Sequence, residues 1–342
     1  MKNINELLES KAYDFLRNNE HLKDKILFLC LGGSHSYGTN IETSDVDIRG
    51  VALPTLSNLL GFTNFEQFQD KETDTVIYSL PKFITLVSNC NPNVIEMLFC
   101  KEEHYFYVSP LGRKLLDNRH LFLTKRAIYT FGGYAHAQLN RLENALVRNG
   151  EALSNKESQE HINRSVLNCI ASFEQKYNTE GMKIKTYVDS LNYGEEEQIL
   201  CDFELTKYPL SKLRSMVEEM TNVQRTFNQT VGQRNKKKDD LHLNKHMMHL
   251  IRLYLMCNEI LSTGDLHTYR EKEHDLLMSI RNGDYRSETG GVSNEFYSLL
   301  KSLENECEES VKMTKLPKQV DKNKIEKLLI DIYKQTVFKQ YK

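Results

Sequence analysis

Between Gly32 and Gly50 the chain concentrates residue types that can handle phosphate and metal. Gly32-Gly33-Ser34-His35-Ser36-Tyr37-Gly38 is followed, after a short spacer, by Ser44-Asp45-Val46-Asp47-Ile48-Arg49-Gly50. A glycine-rich turn lets backbone N–H groups approach a polyphosphate, a serine hydroxyl adds a donor, and a helix starting there would aim its positive end at the anion. Gly33 and Ser34 are therefore candidate phosphate contacts. Asp45 and Asp47, two apart on an expected strand, project from one face, about 7 Å apart along the chain. Paired hard oxygen ligands of this kind suit Mg²⁺, or Mn²⁺, together with substrate phosphates. A third carboxylate would complete a two-ion site, in which one ion sharpens an attacking hydroxyl and the other steadies a leaving pyrophosphate. Asp74 is the candidate, because it begins the next expected strand and shares parity with Val76 and Tyr78; Asp70 and Glu72 remain alternatives. Arg49 shares a face with Asp47 and either neutralises the acidic pair or meets a phosphate. His35, inside the turn, either approaches the phosphates or fills a tight loop.

These residues need a sheet to hold them. Lys25 to Leu31 reads as a continuous buried strand, and Val46 to Leu53 and Thr73 to Leu80 as two more that pair in the same sheet. A helical pattern follows Pro81, and Asn91-Pro92 opens another helix, with Asn at the N-cap and proline where its missing N–H costs nothing. From Lys125 to Arg148 a long helix places Ile128, Phe131, Ala135, Leu139, Leu142 and Leu146 on one stripe, followed by a polar stretch from Gly150 to Glu160. Beyond it helices dominate, roughly over 162–177, 212–230, 241–261, 273–282, 294–303 and 325–333, with a two-strand insertion at 183–189 and 198–206. The expected fold class is α+β: a mixed sheet with flanking helices in residues 1–120, then a mainly helical domain over 121–342 with the small β insertion near 183–206.

Composition sets outer bounds. The chain has 342 residues, with 45 Lys+Arg against 47 Asp+Glu, and the resulting net charge of −2 excludes a polybasic nucleic-acid coat. Single cores rarely exceed roughly 250 to 300 residues, so two domains are expected. The longest clean apolar run, Ile26 to Leu31, is far short of a membrane span, and Met1-Lys2-Asn3-Ile4 opens no signal-peptide pattern; a cytoplasmic protein without membrane contact is expected. The cysteines are scattered without a C-x-x-C pair and read as small buried hydrophobes.

The Gly33-Ser34 turn with Gly38, the Asp45-x-Asp47 strand and a distant acid resemble the signature of the polymerase-β-like nucleotidyltransferase superfamily. The longer form, Ser44-Asp45-Val46-Asp47-Ile48-Arg49-Gly50 followed by Asn91-Pro92-Asn93 and Glu96, resembles its RNA-ligase-associated branch, found in bacteria and phages. The resemblance extends over most of the chain. It implies a nucleotidyltransferase-type fold, a nucleoside triphosphate donor with ATP as the expected one, a divalent metal at Asp45, Asp47 and Asp74, and an RNA end as acceptor in RNA repair or modification. Nucleotidylation of a protein or small molecule, and a non-catalytic nucleotide- or RNA-binding module, are the alternatives. Oligomeric state is not legible.

The helix from Leu241 carries Met247, Leu250, Ile251, Tyr254 and Leu255 as a core stripe. Lys245, His249 and Arg252 fall opposite it, with His242 close by. That basic face either holds a triphosphate or RNA backbone, or is solvated helix surface. His242, His246 and His249 also pose a zinc alternative without a convincing fourth ligand. Arg234-Asn235-Lys236-Lys237-Lys238 is a short basic run, exposed or phosphate-contacting. Tyr134, Gln138 and Arg141 form a polar helix edge, and Tyr269-Arg270 offers a ring for a base beside a guanidinium for phosphate.

Overall fold

The computed structural model describes residues 4–149, 173–174, 176–177, 181–189, 198–230, 240–287 and 291–340. The basic run at 234–238, the polar stretch at 150–160, most of the helix expected over 162–177 and the Arg141 side chain lie outside them. The chain divides into two compact units. One comprises residues 1–139, 244–285 and 294–342, the other 140–243 and 286–293.

The first unit is built on a five-stranded sheet of order β3-β4-β2-β1-β5. Its strands are β1 (Ile26–Leu31), β2 (Ile48–Ala52), β3 (Gln67–Asp70), β4 (Thr75–Ser79) and β5 (Tyr105–Val108). Strand β1 is a run of apolar residues buried throughout, as an interior strand covered on both faces must be. It pairs antiparallel with both β2 and β5, and β3 pairs antiparallel with β4. Strands β2 and β4 are parallel, the intervening chain making the crossover that a parallel pair requires. The two edge strands escape the sequence pattern: β3 is Gln-Phe-Gln-Asp with alternate residues exposed, and β5 is largely aromatic and only half-buried.

Two register facts build the site. Leu31, the last residue of β1, faces Ile48, the first of β2. Ile48 in turn is partnered by Thr75, the first of β4. One end of the sheet therefore gathers Gly32 beyond β1, Asp47 ahead of β2 and Asp74 ahead of β4.

Helix α1 (Gly33–Tyr37) follows β1 directly and ends at Gly38, whose φ of 77° supplies the left-handed stop. Helices α2 (Leu80–Ser88) and α3 (Pro92–Ile95) start at Ser79 and Asn91, whose side chains accept the backbone N–H of Lys82 and Asn93. Next come α4 (Ala127–Asn149), α5 (Leu210–Thr230), α6 (Asp240–Thr263), α7 (His274–Asn282), α8 (Asn294–Met313) and α9 (Lys322–Gln340). Within α6 the buried residues Met247, Met248, Leu250, Leu253, Met256 and Cys257 surround the axis, so it is an internal helix and not a surface helix with one apolar stripe.

In the second unit β6 (Met182–Asp189) and β7 (Gln198–Leu205) form an antiparallel hairpin in continuous register from Met182↔Leu205 to Asp189↔Gln198. Phe173, Tyr177, Met182, Ile184, Met216 and Val223 make its core.

Candidate active site

The acids gather at the end of the sheet. Asp45 and Asp47 precede β2 instead of lying on it, so strand alternation does not relate them. The Gly32 amide donates to the Asp47 carbonyl at 2.8 Å, closing the chain where β1 hands over to α1. Gly33 has φ of 56°, a left-handed conformation that L side chains disfavour, and a Cβ there would overlap the Asp47 carboxylate. The Asp47 carboxylate thus rests directly on the Gly33 main chain.

Asp74 ends a turn and also adopts a positive φ, 44°, a region aspartate tolerates better than most residues. Arg49 joins the acids: its Nη2 donates to Asp47 Oδ1 at 2.7 Å and reaches Asp74 Oδ1 at 3.4 Å, while Nη1 donates to the Asp74 carbonyl at 2.5 Å. Burial pushes Asp47 up to about 6; Arg49 pulls the other way, and the nearby Asp74 carboxylate adds to the rise. Asp45 is exposed and has no hydrogen-bond or ion-pair partner among the described residues. Asp70, the alternative third acid, is engaged by its own turn, accepting from the Thr73 N–H at 2.9 Å and hydroxyl at 2.7 Å. Among the described residues no three acidic, histidine or cysteine side chains are grouped closely enough to enclose an ion.

A pocket of about 250 Å³ opens beside this corner, lined by Gly32, Gly33, Ser36, Arg49, Tyr78 and Glu96 among others. Ser34 is buried, and Ser36, not Ser34, contributes to the wall. Val76 and Tyr78 alternate with Thr75, Ile77 and Ser79 along β4, which turns the Tyr78 ring toward the pocket.

Behind the pocket a buried polar cluster fixes α1. Tyr37 Oη donates to Glu96 Oε1 at 2.6 Å, Arg252 Nη1 donates to Glu96 Oε2 at 3.2 Å, and the Arg252 guanidinium lies 3.6 Å from the centre of the Tyr37 ring. The Arg252 and Glu96 side chains are only 6% and 9% exposed. Lys245, by contrast, is exposed. His249 sits edge-on to Tyr37 and is held well below the ordinary histidine range by burial and by the charges of Arg252 and Lys245, so it is neutral at pH 7. The basic trio of α6 is therefore not a single charged face: one member is exposed, one is neutral and one is internally paired.

The remaining candidates are also located. His246 Nδ1 lies 2.9 Å from Gln138 Oε1, and Tyr134 Oη accepts from Asn91 at 3.3 Å. Arg270 is buried and paired with Glu259 and Glu273, while Tyr269 packs on Gly38 and under Lys101. Arg270 is thus committed to internal carboxylates, whereas the Tyr269 ring is half-buried. His35 Nε2 lies 3.3 Å from the Ser44 carbonyl. Sequence reasoning missed Arg281, at the end of α7, which reaches Ser44; a single arginine in an amphipathic helix carries no local signal.

A family model, RlaP, described as the RNA repair pathway DNA polymerase beta family, matches residues 4–331. The chain belongs to this family. As an RlaP-family member it is a nucleotidyltransferase enzyme with a mixed-sheet α+β fold. No curated protein and no solved structure matches the chain. Among its described residues no helix is long and apolar enough to cross a membrane.

Proposed function

We propose that this RlaP-family enzyme moves a nucleoside monophosphate from a nucleoside triphosphate, ATP in the first instance, to the hydroxyl of an RNA end, in the cytoplasm and with a divalent cation held by Asp45, Asp47 and Asp74. The observation that carries the reading is that Asp47, whose carboxylate rests on the Gly33 main chain, meets Asp74 through Arg49 beside a pocket that Gly33 and Arg49 line. Carboxylate oxygens are the donors a hard cation takes, though in this arrangement the three acids are not gathered closely enough to enclose one and would have to converge on it. Two carboxylates from separate segments stand close enough for one to raise the proton affinity of the other, and Arg49 already supplies the positive charge that such a pair attracts. Asp45, exposed two residues before Asp47, has its oxygens free to join. Bound there, Mg²⁺ or Mn²⁺ would sharpen the acceptor hydroxyl and stabilise the departing pyrophosphate.

The chain's own residues have separable tasks. Gly33 brings main chain within reach of the β and γ phosphates, with Ser34 behind it. Tyr78 offers a ring and a hydroxyl to the nucleoside in the pocket. Lys245 and neutral His249 extend phosphate contacts from α6. Arg252 acts at one remove, holding Tyr37 and thus α1 through Glu96.

The test supplies each of the four α-labelled triphosphates to the protein with RNA and protein pools, with and without a chelator. Label in RNA, lost on chelation, is expected. Label confined to protein would replace the acceptor, and absence of label in every pool would overturn nucleotidyl transfer by this chain.

A further inference from the structure

Among the described residues three arginines are buried: Arg252, Arg270 and Arg281. The first is paired with Glu96 and the second with Glu259 and Glu273. Arg281, 9% exposed, has no carboxylate partner among the described residues. Its Nη1 is enclosed without any hydrogen-bond partner, and its Nη2 reaches no nearer than 3.5 Å to Ser44 Oγ. A guanidinium presents five N–H donors and cannot shed its charge, so burying one unpaired opposes folding unless an anion completes it.

The surroundings point to where that anion sits. Ser44 immediately precedes Asp45, and its hydroxyl also accepts the Ile41 amide at 2.9 Å, which fixes the loop that leads to the acids. His35, from the glycine helix α1, meets the Ser44 carbonyl from another direction, and its Nδ1 is likewise enclosed without a partner. The charge of Arg281 is also felt at His249 on α6. An unfilled donor from α7 and an unpartnered ring nitrogen from α1 therefore border the same short loop.

We propose that Arg281 receives a terminal phosphate of the nucleoside triphosphate, an assignment that rests on the nucleotidyl-transfer reading. A forked guanidinium matches two phosphate oxygens. The narrow exposure of the side chain suits the end of a small ligand and not a continuous RNA backbone.

The test compares wild type with Arg281→Met and Arg281→Lys, measuring dissociation constants for inorganic tripolyphosphate, an α,β-methylene nucleoside triphosphate, the unphosphorylated nucleoside and a single-stranded RNA. Arg281→Met is expected to weaken both triphosphates by at least about tenfold, leaving nucleoside and RNA unchanged. Arg281→Lys keeps the charge without the fork and recovers part of the loss. The melting temperature of the ligand-free Arg281→Met protein is expected to stay level or rise, which the loss of a packing arginine would not produce. Undiminished triphosphate affinity in Arg281→Met, or a loss confined to RNA, overturns the assignment while wild-type transfer leaves the enzymatic reading standing. A wild type that binds no triphosphate removes both.

Discussion

Asp47 and Asp74 stand side by side because the residues that follow them, Ile48 and Thr75, are register partners in the parallel pair β2–β4. Neighbouring parallel strands lie about 4.8 Å apart, so the residues just ahead of each strand arrive together whatever path the chain takes between them. Arg49, the second residue of β2, then reaches both. The acid pair is thus a product of sheet register, and moving β2 by one residue would dismantle it.

The raised Asp47 carboxyl has a pH signature. Between about pH 4 and pH 6 the folded protein holds a proton at Asp47 that the unfolded chain has released, so the metal-free protein loses stability as pH rises through that window. Asp47→Asn should lack this decline, and melting temperatures of the two proteins from pH 4 to 7 measure it. Arg49→Met, which removes the group pulling the carboxyl down, should move the decline to higher pH. Coincident wild-type and Asp47→Asn profiles would contradict the assignment.

Gly33→Ala meets two obstacles, a left-handed backbone and the Asp47 carboxylate. The strain alone costs about 1 kcal/mol or more, and relief requires Asp47 to move. Turnover is expected to fall by about 10²-fold, since small misplacements of reacting groups have that effect, while the chain still folds. Initial rates read beside urea unfolding separate the two effects.

Glu96→Ala leaves Arg252 buried and unpaired, a change expected to destabilise by about 3–5 kcal/mol. Arg252→Met added to Glu96→Ala should recover much of that loss. Denaturant unfolding of wild type, both single variants and the double variant gives the coupling directly.

Asp74→Asn and Asp70→Asn distinguish the candidates for the third acid. Asp70 is committed to the Thr73 turn, so its replacement is expected to lower stability slightly and keep transfer. Replacing Asp74 is expected to cut transfer by 10²-fold or more, as removal of a charged group from a reacting centre does. Comparable rates for the two variants would contradict this distinction.

The sequence disclosed this site unevenly, for physical reasons. Gly33 and Asp47 are legible as candidates because both belong to a local pattern whose chemistry dictates residue type, whereas Ser34 is buried and Ser36 takes the place at the pocket wall. Asp74 was reached through strand parity, yet it stands in a turn with φ of 44° ahead of the strand; register, a non-local property, is what brings it in. Arg252 read as part of a basic helix face because its partner Glu96 lies 156 positions away. Arg281 was invisible for a related reason: what marks it is the lack of a partner, and that exists only in three dimensions. Strands β3 and β5 escaped because edge strands have no need of the apolar alternation that exposes interior ones.

The proposed role of the carboxylates ahead of β2 and β4 as the reacting centre rests most heavily on Asp47. It is tested most directly by the rate at which Asp47→Asn transfers label from an α-labelled triphosphate to RNA, read beside its unfolding midpoint. The expected result is a rate lowered by about 10³-fold or more with a midpoint unchanged or raised, since one of two opposed carboxylates has gone. Transfer at the wild-type rate by a folded Asp47→Asn protein would contradict it.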